Sequence, residues 1–257
     1  MCLIALSWRA DARFPLAVAA NRDEFYRRRS LPAEFWDDIP GLLAGRDEQA
    51  GGTWLGVHNS GRFAAVTNAR GVGAPGKQPP SRGELVRDFL NSDSPASEYA
   101  HSKLNEIHQY AGCNLLLADK EKLFYLTNHP APECRELAPG RYALSNGHID
   151  DHWPKMRRLA DSLNKVLDDE QAETENLLEI LRNRDKPPAE ELPNTGVGKP
   201  LEKQLSPIFI QMPVYGTRCS TAILANTAGQ LHFHERSYVA GGKPAGDVEY
   251  TIDWPMT

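Results

Sequence analysis

Cys2 is the residue with the most to explain. Loss of one methionine would leave its thiol and a free α-amine on the same residue. Such an amine has an ordinary pKa of about 7.7–8.0 and acts as a base near neutrality. The thiol, at about 8.5, is nucleophilic once deprotonated. One residue then supplies both nucleophile and base, a known solution to covalent catalysis. The plain alternative is a small apolar residue opening a strand. Asn21-Arg22-Asp23-Glu24 forms a second cluster, where an apolar run ends. Asp23 can bind and orient an α-ammonium. Arg22 can balance carboxylates or hold an anionic substrate group, and Asn21 shapes the strand end beside it. The same four residues also suit a surface turn. Asn68 and Asn146 close two further strand-like runs. A side-chain amide there can donate to an oxyanion, although asparagine is also a common turn former. Arg218, just before a later strand, can point into the same cleft, while Arg27-Arg28-Arg29 reads as a solvated charge run.

These residues need elements that bring them together. Cys2 to Trp8 and Phe14 to Ala20 are apolar runs of strand length joined by a polar link, which predicts a hairpin. Antiparallel pairing sets the end of the second strand beside the start of the first, so topology alone carries Asp23 toward Cys2. A second hairpin is predicted over Trp54–His58 and Arg62–Asn68, turning at Asn59-Ser60-Gly61. Residues 71–80, rich in Gly and Pro, predict an irregular loop. Ser81-Arg82-Gly83-Glu84 has the form of a capping box and starts a helix. Another helix is expected over about Pro95 to His108. A third hairpin flanks Asp119-Lys120-Glu121, and a short strand covers Arg141 to Asn146. Two helices lie within Trp153–Arg184, broken near Asp168 to Ala172, and a loop spans Pro187 to Pro200. Ile208–Ile210, Thr221–Ala225, Leu231–His234 and Val248–Ile252 are strand candidates. Strands and helices come in blocks, which predicts an α+β fold with antiparallel sheets and helices packed outside.

Bulk properties bound the function. The 257 residues form one predicted domain with apolar content sufficient for a large core. A net charge of -5 argues against a general nucleic-acid binder. Four cysteines, Cys2, Cys113, Cys134 and Cys219, show no CxxC spacing and predict free thiols in a reducing compartment. Neither a signal peptide nor a membrane-spanning run is evident, which predicts a cytoplasmic protein. The eight histidines lack zinc-type spacing, so no metal is expected. Residues 71–77 lack the GxxxxGK[ST] form of a phosphate loop.

The chain resembles the NRDE family, also called the transport-and-Golgi-organisation-2 family. The resemblance is carried by Met1-Cys2-Leu3-Ile4, Ala20-Asn21-Arg22-Asp23-Glu24-Phe25-Tyr26, Leu43–Asp47, Gly51–Val57, Gly61–Asn68, Ser81–Val86, Leu144–Asn146, Trp153–Lys155 and Tyr215–Arg218. It implies the N-terminal-nucleophile (Ntn) hydrolase fold, a four-layer αββα sandwich of two antiparallel sheets. In cysteine members of that fold, such as bile salt hydrolases and penicillin V acylases, the nucleophile is the first residue after processing, where Cys2 stands. Asp23, Asn68, Asn146 and Arg218 are similar to the aspartate, two asparagines and arginine of those sites. Those enzymes carry arginine before the asparagine of the second strand. This chain has Ala20 there, with Arg22 after Asn21. The resemblance thus implies an amidohydrolase that cleaves a C–N bond of a small acylated substrate and needs no cofactor. The alternative it implies is a non-catalytic carrier of haem or of a lipid or acyl-CoA ligand on the same scaffold.

Overall fold

A computed structural model describes residues 2–71, 75–76 and 78–255. Part of the predicted 71–80 loop, and Met1 of the opening motif, lie outside the described residues. One sheet has six antiparallel strands in the order β10-β1-β2-β11-β12-β13. These are β1 (Cys2–Trp8), β2 (Leu16–Phe25), β10 (Gly140–Leu144), β11 (Tyr215–Ala225), β12 (Gln230–Val239) and β13 (Lys243–Asp253). The other has seven, running in sequence order from β3 to β9. It comprises β3 (Ser30–Phe35), β4 (Leu42–Asp47), β5 (Leu55–His58), β6 (Arg62–Asn68), β7 (Cys113–Ala118), β8 (Leu123–Thr127) and β9 (Glu133–Leu137).

Side chains alternate across a strand, and the cores follow that alternation. Ile4, Leu6, Val18 and Ile223 of the first sheet meet Val57, Phe63, Leu116 and Tyr125 of the second in a central core. Leu3, Ala5, Ala17 and Ala222 face the opposite way, onto α3 (Pro154–Asp168) and α4 (Thr174–Ile180). Ala64, Val66, Leu115 and Leu117 of the second sheet likewise pack on α1 (Arg82–Leu90) and α2 (Ala96–Leu104). The layers are therefore helix, sheet, sheet, helix. A short helix, α5 (Lys199–Gln204), lies in the segment leading to β11.

The predicted hairpins form, and the long helical segment is two helices broken after Asp168. Several expectations need correction. The second strand does not stop at Ala20 but continues through the polar cluster to Phe25. Lateral partners make this feasible: Asn21 donates to Leu181 O and Ile208 O, both at 2.9 Å, and accepts from Ser220 Oγ at 2.6 Å. The capping box at Ser81 does not form, since Ser81 makes no side-chain cap bond. Ile208–Ile210 is irregular, and α5 begins inside the predicted 187–200 loop. Strands β3, β4 and β9 lie in segments where no strand was predicted. In β3, Pro32 and a register shift between Leu31 and Glu34 blur the alternation that marks a strand. All four cysteines are free.

Candidate active site

Cys2 opens β1 and lies directly opposite Arg22 of β2. Ile4 and Ala20, two residues further in, belong to the central core, so Cys2 and Arg22 point between the sheets. Asn21 and Asp23 point the other way, toward the α3–α4 layer. Both Cys2 and Asp23 are buried, yet both reach a cavity of about 310 Å³ at this end of the sandwich. Arg22, Glu24, Arg28, Asp47, Trp54, Asn68 and Arg82 share its walls. Two glycines bring the far wall close. A Cβ on Gly52 would sit 2.5 Å from the carbonyl carbon of Gly83, so only glycine lets the start of α1 approach the 51–53 segment.

Asp23 is held by its neighbours on β11. Thr217 Oγ1 donates to Asp23 Oδ1 at 2.7 Å, and Tyr215 OH donates to the Asp23 carbonyl at 3.0 Å. The β11 pairing slips by one residue between Thr217 and Cys219. That bulge sets Thr217 opposite Asp23 and displaces Arg218, as bulges commonly re-aim side chains near sites. Arg218 instead donates to the carbonyls of Phe25, Tyr26 and Arg28 at 3.3, 3.2 and 2.8 Å. It therefore braces the turn that carries Arg28 and does not line the cavity.

The second sheet contributes Asn68, the last residue of β6. Asn146 follows β10 and is fully buried; its Nδ2 donates to Asn68 O at 2.8 Å. Ser145 Oγ donates to Cys2 O at 3.3 Å, and Thr67 Oγ1 donates to Ser145 O at 2.5 Å. Consecutive residues thus fasten the Cys2 strand and the Asn68 strand to each other across the two sheets. Asn146 reaches the site through Asn68, and Asn21 is committed to the backbone carbonyls and Ser220 described above. Of the seven residues singled out by sequence, Cys2, Arg22, Asp23 and Asn68 line one cavity.

Burial pushes the Cys2 thiol up from its usual range, and the Asp23 charge adds to that while Arg22 opposes it. Burial also raises the Asp23 carboxyl, opposed among the described side chains by Lys155, the Thr217 hydrogen bond and Arg70. Arg22 pairs with Asp47 at 3.3 Å and stacks over Trp54, 4.9 Å from the ring centroid. Arg28 pairs with the same carboxylate at 2.7 Å. A single carboxylate thus serves two arginines at the cavity wall.

A second, apolar cleft of about 440 Å³ adjoins the first and shares Glu24 and Asn68 with it. Phe25, Leu201, Leu205, Met212, Val214 and Tyr215 form its walls. Phe25, Leu201 and Val214 are exposed, with Val214 at 65%.

Sequence reasoning missed several buried charged groups around the site, among them Lys155, Glu202 and Glu235. Lys155 stands near Asp23. Arg70 pairs with Glu202 at 3.0 Å. Glu235 lies between the sheets, where its carboxylate accepts from Ala33 N at 2.9 Å and Thr221 Oγ1 at 3.1 Å. One signal for Lys155 was legible: a lysine directly after the proline that starts a helix, where the dipole favours acids. Among the described residues, no cluster of His, Cys, Asp and Glu could hold a metal ion. No helix there is long and apolar enough to cross a membrane.

Comparison with known proteins agrees with this architecture. A family model described as Transport and Golgi organisation 2 matches residues 1–240. The mouse Transport and Golgi organization 2 homolog is 34% identical over 242 residues, covering 87% of each chain. Among solved structures, penicillin V acylase from Agrobacterium tumefaciens superposes with a TM-score of 0.56 at 12% identity, over 98% of this chain and 86% of that one. The Caenorhabditis elegans ortholog of N-acylethanolamine-hydrolyzing acid amidase gives 0.52 at 13%, over 87% and 92%. At such identities the likeness is one of fold: an α+β sandwich of the Ntn-hydrolase type.

Proposed function

The chain belongs to the Transport and Golgi organisation 2 family, and we propose that it is a cysteine-type amidohydrolase cleaving a C–N bond of a small acylated substrate. The observation that carries this reading is the meeting of Cys2, Asp23 and Asn68, from two sheets, in one cavity. The acylase fold of its structural neighbours supports it, and so does the apolar cleft beside Asn68, which suits an acyl group.

Removal of Met1 frees the α-amine of Cys2, and Asp23 orients it. The amine takes the thiol proton as sulfur attacks the substrate carbonyl and a C–S bond forms. The Asn68 amide donates to the oxyanion, and Asn146 holds Asn68 in place by its backbone carbonyl. As the tetrahedral species collapses, the C–N bond breaks and the ammonium returns its proton to the leaving amine. Water then attacks the thioester with the amine as base, releasing the acid and restoring the thiol. Arg22 balances charge at the cavity wall and offers a contact for an anionic part of the substrate, while Arg218 fixes the turn beside it.

An electrophilic acyl probe tests this directly. Mass mapping should place the acyl group on Cys2, and intact mass should lack Met1. Equal labelling of the Cys2→Ala variant would sink the proposal. The exposed apolar walls also suit a carrier of an acyl-chain ligand. That second reading predicts that Cys2→Ala binds a fluorescent fatty acyl probe as tightly as the parent, with no turnover in either. Haem carriage on the same scaffold would show instead as a shifted Soret band on titration.

A further inference from the structure

Lys155 is 4% exposed, although lysine is among the residues least often buried without a paired charge. It occupies the second position of α3, where the helix dipole disfavours a cation. Among the described residues its ammonium makes one hydrogen bond, to Leu205 O at 3.3 Å. No carboxylate there lies within ion-pair distance, and the space beside it, about 10 Å³, barely suits one water. A buried charge in such a setting has to be stabilised by a facing charge.

The charged neighbours name that group. The Asp23 carboxylate is its foremost opposite charge, followed by Glu202 and Cys2, while burial and Arg70 act against its ammonium. The placement agrees: Leu205 adjoins Tyr215, Glu24 and Asn68 in the apolar cleft, and Tyr215 OH is bonded to the Asp23 backbone. Asp23 turns its side chain away from the sheet interior, toward the layer whose first turn holds Lys155. Among the described residues, other groups that act on Asp23 include the Thr217 hydroxyl, Arg70 and the Tyr215 phenol. Arg70 is already joined to Glu202, and Thr217 is neutral.

We propose that Lys155 is a positioning residue, whose buried ammonium keeps the Asp23 carboxylate ionised so that it can bind and orient the Cys2 amine. The assignment rests on the hydrolase reading for the purpose of that orientation, though not for the charge coupling itself. Burial alone drives Asp23 toward the neutral acid, and a neutral Asp23 holds an ammonium poorly. Lys155 opposes that drift from the side away from the cavity, where it cannot compete with substrate. The ammonium is itself close to release, its pKa pushed down to about 8 by burial. The coupling therefore weakens as pH rises past neutrality.

The test is a titration of Asp23 in the full-length protein labelled with [4-13C]aspartate, with the resonance assigned by its loss in Asp23→Asn. Lys155→Met should move the Asp23 midpoint up by at least one pH unit, a tenfold weaker acid. Lys155→Gln should do the same, and covers the case in which the methionine variant does not fold. A residue that merely ties α3 to Leu205 would lower the melting temperature and leave the midpoint in place, and that result overturns the proposal. The titration uses no substrate, so its outcome is separate from that of the acyl-probe experiment. An unmoved midpoint with intact Cys2 acylation defeats this inference alone. A moved midpoint without acylation upholds the coupling and counts against hydrolysis.

Discussion

Cys2 and Cys219 flank Arg22 in one lateral row of the first sheet, one on β1 and the other on β11. Both are buried, and burial pushes both thiols up. They differ in surroundings. Cys2 lies at the very start of its strand, with the cavity in front of it and Asn68 across it. Cys219 lies inside its strand, beside the Glu235 carboxylate, which raises it further. It is not among the residues that line the cavity. The same side chain, on the same face, two strands away, is a core residue. What would suit Cys2 to the proposed chemistry is its place at the strand end, where an amine, an acid and an amide donor can converge.

That contrast can be broken or sharpened by experiment. The largest difference should appear in thiol alkylation. Iodoacetamide followed by peptide mapping should modify Cys2 at least about 100-fold faster than Cys219, with the Cys2 rate rising with pH as its raised thiol ionises. Comparable rates would erase the distinction. Asn68→Ala should come next. Loss of one oxyanion donor should slow Cys2 acylation by about 10²–10³-fold and leave its alkylation within a few fold, because alkylation has no oxyanion. A parallel drop in both would mean that Asn68 acts on the thiol.

The smallest effect belongs to the Cys219 side. Burial raises the Glu235 carboxyl above its usual range. A folded state that holds a proton more tightly than the unfolded chain loses stability as pH rises from the unfolded value, about 4.3, to the folded one. Urea unfolding of the parent should therefore show stability falling with pH across that interval. Glu235→Gln should flatten the slope with Cys2 acylation unchanged within about twofold. A slope that survives the substitution would assign it to another group.

Much of the site was legible before any coordinates, because it sits where elements end. Cys2 starts a strand and Asp23 lies near the end of the next, so antiparallel pairing alone predicts that they approach, whereas Asn68, on the other sheet, was indicated only by its strand-end amide and the family resemblance. The polar cluster was misjudged in one respect. Four polar residues look like a turn, yet Asn21 and Asp23 continue β2 because carbonyls and hydroxyls from other parts of the chain satisfy them. Glu202 and Glu235 were invisible for the same reason. A charged residue next to others of its kind, as Glu235 is between His234 and Arg236, looks like part of a solvated face. Only tertiary structure reveals that it points inward. Arg218 illustrates a bulge, where one extra residue reverses which neighbour faces the site, and pattern reading has no means of counting it.

The clasp formed by Ser145 and Asn146 has a mechanical consequence. The proposed nucleophile rides on one sheet and the proposed oxyanion donor on the other, and two adjacent residues set the gap between them. Beneath this end of the sandwich the sheets meet through the apolar central core, whose side chains tolerate sliding far better than a hydrogen bond does. Slippage too small to expose the core would already separate thiol from amide. Heat should accordingly silence the site at a lower temperature than it melts the sandwich, so that the clasp works as a fuse in series with the fold.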